Sequence, residues 1–278
     1  MRPILAHLPP PVADLLPLVL PGWTGATGPV SGRPDVRAEA TPGGFRVEAA
    51  TLPDGRLDVA SPIAAAGTVG GALTAAYVGQ TDAWIELHAA AFLRSGRAVV
   101  MLGGTGAGKS SLALHLARRG HGLLSDDRVG VGVGAAGVVD CTALGVAVKA
   151  RLPLPPDLDA AHRGYIGRCT RATYPDVAFL SLPSGAMAPL GGTYPLGALL
   201  LLQRQAAAAA APSLRPANVA DVVRNIVEHG LAPSLTAAGL VRQAERLART
   251  LPAHWLHYAD GGAAAAWLPD AVDPLLPA

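Results

Sequence analysis

The stretch GGTGAGKS, Gly103 to Ser110, matches the pattern G-x-x-x-x-G-K-[ST] in full. Glycines at 103, 104, 106 and 108 let the backbone turn sharply and come close to a ligand. The N–H groups of such a loop, and of the helix it opens, can face phosphate oxygens. Lys109 would reach the β- and γ-phosphates of a nucleotide, and Ser110 would ligate magnesium. Gly103, Gly104, Thr105, Gly106, Ala107, Gly108, Lys109, Ser110 and Ser111 are therefore the candidate nucleotide contacts. Seventeen residues after Lys109 come two adjacent carboxylates, Asp126 and Asp127. One acid near a nucleotide-bound cation can hold the metal, while a second can take the proton from an attacking hydroxyl. On an extended strand the two would point to opposite faces, which favours different roles. The competing reading is a pair of turn residues that cap the next segment.

His88 lies upstream in ELHAAAF and reads either as a core histidine or as a member of the site, with Glu86 as its partner or as an exposed strand residue. The chain has only two lysines, Lys109 and Lys149, among many arginines. A compact ammonium surviving such a bias points to positions a guanidinium cannot serve.

Several elements must position these groups. AVVML before the loop reads as a strand, and KSSLALHLARR after it as a helix that stops at Gly120. GLLSDD reads as a short strand ending in the acids, placed near the strand before the loop. A strand is expected through His88 and Ala91, with a turn at Ser95-Gly96. RVGVGVGAAGVVDCTALGVAVKARL continues as strands with glycine turns. Together these make a β-α-β unit with additional antiparallel strands, an α/β fold.

Residues 1 to about 30 read as proline-rich and irregular, and Gly43–Ser61 as a hairpin around Pro53-Asp54-Gly55. AAAGTVGGALTAAYVG is expected to be helical in its second half. These segments suggest a small N-terminal α+β lobe, residues 1–80, ahead of a catalytic domain, 81–278. Further on, PLPPDLDAAHRGYIGRCTRATYPD reads as loop, YPLGALLLLQRQ as a buried strand, and AAAAAAP, Ala206 to Pro212, as a linker or a frayed helical turn. Two striped helices follow, then a last strand and a short helix. Trp84, Trp255 and Trp267 are expected to pack in the core or against the lobe.

The 278 residues are half hydrophobic and only 15% charged, which excludes disorder. A net charge of +2 gives no footprint for nucleic acid or a membrane surface. Cys141 and Cys169 have no metal-ligand spacing and read as reduced thiols. The N-terminal segment lacks a clean signal-peptide pattern, and no apolar run approaches a membrane span. A cytoplasmic location is expected.

LHAAAFLRSGRAVVMLGGTGAGKSSLALHLARRGHGLLSDDRV, Leu87 to Val129, resembles the catalytic core of the HPr kinase/phosphorylase family: a histidine-bearing strand, the glycine loop, RGH and paired aspartates. The resemblance extends loosely over about 80 to 205. It implies a P-loop kinase core of the HPr kinase/PEP carboxykinase type, using ATP and Mg²⁺ to phosphorylate a serine of a peptide or small protein. On it, Asp126 is the base and Asp127 the metal ligand, the two being interchangeable. His88 touches the catalytic acid, while Lys109 and Ser110 hold phosphate and metal. VVDCTALGV lacks the acidic and arginine pattern of the family's later signature, so the resemblance implies kinase rather than phosphorylase activity. The N-terminal lobe is similar to that of shorter HPr-kinase-like proteins found beside ribosomal-peptide genes, including lasso peptide kinases, whose acceptor is a precursor-peptide serine. Lys149, Arg151, Arg163, Arg168 and Arg171 fall in the segment expected near the acceptor. The family proper assembles into hexamers, so a homo-oligomer is compatible. Two other readings remain open: a P-loop kinase of a small hydroxylated metabolite, and a regulatory ATP-binding module without phosphoryl transfer.

Overall fold

A computed structural model describes residues 2–24, 33–81, 84–134, 137–155, 158–205 and 211–277. The chain begins with strand β1 (Ala6–His7) and two short helical turns, α1 (Pro10–Ala13) and α2 (Leu16–Val19). The proline-rich start is thus partly regular, because proline in a first helical turn removes an N–H that has no partner there anyway. Strands β2 (Val36–Thr41), β3 (Gly44–Ala49) and β4 (Arg56–Val59) join β1 in a sheet of order β1-β2-β3-β4. The expected hairpin is β3–β4, turning through Pro53–Gly55.

Helix α3 (Pro62–Val78) follows, capped by Ser61 Oγ, which accepts from Ala64 N at 3.3 Å. The whole segment is helical rather than its second half alone. Val69, Ala72 and Leu73 bury it against Val12, Val36 and Val47, and this packing overrides the low helix propensity of its glycines.

The large sheet is built around β5 (Ile85–Leu87), β6 (Ala90–Arg94), β7 (Arg97–Leu102), β8 (Leu123–Ser125), β9 (Val129–Val133) and β10 (Val139–Ala143), with helix α4 (Lys109–Arg118) between β7 and β8. A smaller sheet of order β11-β13-β12 comprises β11 (Val148–Arg151), β12 (Thr170–Tyr174) and β13 (Val177–Leu180). Helix α5 (Ala160–Cys169) precedes β12, so the segment expected to be loop holds a helix and a strand. Asp159 supplies the cap, accepting from His162 N at 2.7 Å.

Strand β14 (Thr193–Arg204) is the spine of the molecule. Its first residues pair antiparallel with β10, and its remainder runs parallel to β7 and to a later strand. The chain closes with β15 (Ser213–Pro216), α6 (Val219–His229), β16 (Gly230–Leu231), α7 (Ala237–Thr250), β17 (Ala253–Tyr258) and α8 (Gly261–Val272). The order across the large sheet is β16-β5-β9-β10-β14-β7-β6-β8, with β17 between β14 and β15. Residues 206–210, most of the expected linker, lie outside the described residues.

Alternation along the central strands divides the core. Val99, Met101, Ala198 and Leu200 face Leu112, Leu116 and Leu268 on one side. Val100, Leu102, Leu199 and Leu201 face Val222, Ile226 and Leu247 on the other. A third cluster joins the N-terminal sheet and α3 to Leu144, Val146 and Phe179. Each fully buried leucine contributes about 1.5–3 kcal/mol, so these layers set the strand positions. Trp84 and Trp255 pack at the edges of these clusters, but Trp267 is 37% exposed, contrary to expectation. Cys141 and Cys169 are buried and free. No helix among the described residues is long and apolar enough to cross a membrane.

Candidate functional site

The topology brings the motif residues together. Strand β6 runs antiparallel to both β7 and β8, with Ala91 opposite Val100 on one side and Ser125 on the other. The C-terminal ends of β7 and β8 and the entry to β6 therefore lie at one edge. The 103–108 loop leaves the first, Asp126 and Asp127 follow the second, and His88 precedes the third. The acid-bearing strand is thus one strand removed from the loop strand, because the hairpin partner β6 takes the place beside it. His88 itself sits at a break between β5 and β6, not inside a continuous strand. The chain there crosses from the β9 half of the sheet to the β7 half.

The loop is held from beneath. Gly108 has φ 98°, and a Cβ there would run into Tyr258 Oη, so no other residue fits. The Tyr258 hydroxyl donates to Ala107 O at 2.6 Å. Burial pushes that hydroxyl up to about 12, so it stays a neutral donor. Helix α4 ends in a Schellman motif, with His121 N bonded to Leu116 O and Gly120 N to Ala117 O, and Gly120 at φ 88°. Lys109 is buried and donates from Nζ to Gly103 O at 2.6 Å and Gly104 O at 3.4 Å, folding the ammonium back into the loop. Burial lowers its pKa, and the Asp127 charge opposes that shift.

The two acids sit in different surroundings. Asp126 is 1% exposed. Its Oδ2 accepts from Lys149 N at 3.3 Å, and its backbone carbonyl accepts from Ser110 Oγ at 3.2 Å. Its Oδ1 is buried without a hydrogen-bond partner among the described residues. Burial first, and the neighbouring Asp127 charge second, raise the Asp126 carboxyl to about 7. Asp127 is also pushed up by burial, but a hydrogen bond from His88 and the charges of Lys149 and Arg128 outweigh this. They hold it well below the usual carboxylate range. His88 Nε2 lies 3.3 Å from Oδ1 and Lys149 Nζ 2.7 Å from Oδ2. Ser125 Oγ accepts from the backbone N–H of both Asp127 (3.0 Å) and Arg128 (2.9 Å), and so fixes the turn that splits the pair.

Arg128 and Glu86 form a second tier. Arg128 Nη1 meets Glu86 Oε1 at 2.5 Å, and Thr74 Oγ1 donates to the same oxygen at 2.9 Å. Glu86 is buried and partnered by Arg128, so it is neither an exposed strand residue nor the partner of His88. Burial raises its carboxyl against the Arg128 charge.

A cleft of about 500 Å³ opens over these groups. The loop residues Gly104, Thr105, Gly106, Gly108, Lys109, Ser110 and Ser111 line it, with His88, Asp126, Asp127 and Lys149. Gly103 and Ala107 do not line it; their carbonyls take the Lys109 ammonium and the Tyr258 hydroxyl. The far wall is apolar, with Leu114, Leu154, Leu158 and Ile166 beside His162. His162 stacks on His115 at 3.7 Å between ring centroids, and burial lowers its pKa to about 4. Of the arginines expected here, Arg151 lines the cleft, whereas Arg163 is spent on the carbonyls of Leu158 and Pro155. Arg168 and Arg171 are not among the lining residues. Sequence reasoning missed Tyr258, Ser125, Arg128, His162 and also His229, whose carbonyl accepts from His88 N at 2.8 Å. None of these carries a motif signal, since each is distant in sequence or chemically ordinary.

No cluster of three or more histidine, cysteine, aspartate or glutamate side chains among the described residues is arranged to hold a metal. The donors present fit a hard cation that takes a few protein oxygens and completes its shell with nucleotide phosphates and water. The unpartnered Oδ1 of Asp126, the residue whose backbone carbonyl takes the Ser110 hydroxyl, is the observation that fits such an ion.

No family model matches the chain, and no curated protein matches it. Among solved structures, the chain is similar to the HPr(Ser) kinase/phosphatase from Coxiella burnetii. The likeness covers 68% of this chain and 92% of that one, at 14% identity and a TM-score of 0.33. A superposition this shallow decides nothing about chemistry, and the functional reading rests on the site's own residues.

Proposed function

We propose that the protein is a Mg²⁺- and ATP-dependent kinase that transfers the γ-phosphoryl group to a hydroxyl, with a serine of a peptide or small protein as the acceptor. The observation that carries this reading is the convergence of a glycine loop, its buried lysine and a split pair of carboxylates on one cleft. A module that only binds nucleotide has no use for an ionised acid clamped between His88 and Lys149 at the mouth of a phosphate loop.

In this reading the loop N–H groups and Lys109 hold the phosphates, and the apolar wall with His162 takes the nucleoside. Ser110 and Asp126 would hold a magnesium ion, which when bound would neutralise charge on the transferred phosphoryl group. Asp127 accepts the proton of the attacking hydroxyl. The γ-phosphorus–oxygen bond to ADP breaks as the bond to the acceptor oxygen forms. His88 and Lys149 orient the Asp127 carboxylate and keep it ionised. The geometry therefore favours the exchanged assignment of the two acids: Asp126 is the buried one beside Ser110, and Asp127 is the one within reach of a second molecule.

The test is mass spectrometry after incubation with Mg-ATP of an HPr-type carrier, of serine peptides, and of any short precursor peptide encoded beside the gene. A gain of one phosphoryl group, abolished in Asp127→Asn, is the expected result. Phosphorylation of a small hydroxylated metabolite alone would replace the acceptor. Nucleotide binding with no transfer to any acceptor would leave a regulatory module.

A further inference from the structure

A second cleft, of about 490 Å³, lies on the other side of the Asp127–Lys149 pair. It is lined by the loop after β3, by Leu57 of β4, by α3 residues that include Gly67 and Thr68, and by Val146 and Leu231. Among the described residues, Asp127 and Lys149 are the two that line both clefts. In-line phosphoryl transfer needs donor and acceptor to approach the transferred group from different sides. Two clefts that meet at a single ion pair meet that requirement.

We propose that this second cleft is the acceptor site, and that it takes an extended peptide which adds alongside β4 and presents its hydroxyl to Asp127. The assignment rests on the kinase reading above and names the place and form of its substrate.

Three features favour a peptide strand. First, β4 is the last strand of its sheet and has no neighbour on its outer side among the described residues. A free edge offers backbone N–H and C=O groups to an added strand. Second, Gly67 is exposed in the middle of α3 at this cleft, and a Cβ there would meet no heavy atom within 4 Å. Glycine inside a helix is destabilising relative to alanine. Among the described residues neither close packing nor a positive φ accounts for it, whereas room for another backbone does. Third, Leu57 and Leu231, both in the lining, are 42% and 37% exposed, so apolar side chains flanking the acceptor residue have surfaces to cover. A small metabolite would use none of these features, because such ligands are held by enclosed pockets with convergent polar groups.

The chemical step is balanced within this arrangement. The acceptor O–H loses its proton to Asp127, its oxygen bonds to the γ-phosphorus of ATP, and ADP leaves.

The experiment uses the full chain, Mg-ATP and a positional library of short serine peptides. Gly67→Trp fills the cleft from an exposed helix position, and Gly67→Ala controls for the helix. Leu57→Asp places a charge on the rim. Transfer to library peptides should fall at least about tenfold in Gly67→Trp and stay unchanged in Gly67→Ala, while Mg-ATP binding and hydrolysis to water match the parent. Leu57→Asp should raise KM for peptide and spare kcat, since a rim contact contributes equally to ground and transition states. Parent-like peptide kinetics in both Gly67→Trp and Leu57→Asp would overturn the acceptor site and leave the kinase reading standing. A parent protein that binds Mg-ATP and phosphorylates no peptide would remove the peptide-kinase reading, and this assignment with it.

Discussion

Replacing Arg128 with methionine tests the support beneath Asp127. The substitution keeps an unbranched stem over Gly71 of α3, where a Cβ would lie 3.2 Å from Arg128 Nη2, but removes the charge. Glu86, 1% exposed, is then left with Thr74 as its one remaining donor among the described residues. An unpaired buried carboxylate escapes its desolvation cost by taking a proton. At pH 7 that protonation costs about 1.4 kcal/mol for each unit above the ordinary glutamate pKa of about 4.3, so about 4 kcal/mol is the ceiling of the gap, because burial raises the parent carboxyl as well. This agrees with the roughly 3–5 kcal/mol lost when one partner of a buried pair is removed. At pH 5 the same cost is only about 1 kcal/mol. The sign follows because Glu86 in the variant has a folded-state pKa above its unfolded value. Its penalty is absent below the unfolded pKa and grows as pH rises. Urea titrations of the parent and Arg128→Met between pH 5 and pH 7.5 should show a stability gap that widens with pH at constant m-value. Glu86→Gln combined with Arg128→Met should close most of the gap at pH 7. A small gap that does not change with pH would mean that water reaches Glu86 and that the pair does not hold the turn.

Asp127→Asn should keep nucleotide affinity and lower phosphoryl transfer by about 100- to 10,000-fold, measured by single-turnover kinetics. Gly108→Ala sets a side chain against Tyr258 at a positive φ, so Mg-ATP affinity by calorimetry should collapse. Adding Tyr258→Phe should not restore it, because the backbone strain remains. The buried His162 ring has a folded pKa of about 4 against about 6.5 unfolded, so stability is full above pH 6.5 and is lost as pH falls toward 4, by up to about 3 kcal/mol. His162→Phe keeps the stack on His115 and should flatten that acid limb in thermal melts.

Much of the candidate site was legible from local pattern. The loop spacing, Lys109, Ser110 and the paired aspartates are contiguous in sequence. The Gly120 helix stop, the β3–β4 hairpin and the two C-terminal helices follow from short-range turn, capping and period signals. Asn218 and Thr236 cap those two helices by accepting from Asp221 N and Gly239 N. Signals of this kind act over a few residues, and a chain read in order contains them.

Which of these residues meet is a long-range matter. The break at His88 appears as one run of apolar residues in sequence. It becomes a crossing between two halves of a sheet only because β5 and β6 pair with different neighbours. The two aspartates look interchangeable in sequence. They separate because the sheet buries Asp126 under Ser110 and Lys149, while the Ser125 turn brings Asp127 to His88 and Lys149. The Glu86–Arg128 pair and the Tyr258 prop join residues 42 and 151 positions apart, and no local rule relates them. Local sequence sets the chemistry available and most of the elements that carry it. The long-range strand order, set by burial of the β7 and β14 faces between helices, determined which carboxylate is buried, which stays charged, and which one also reaches the second cleft.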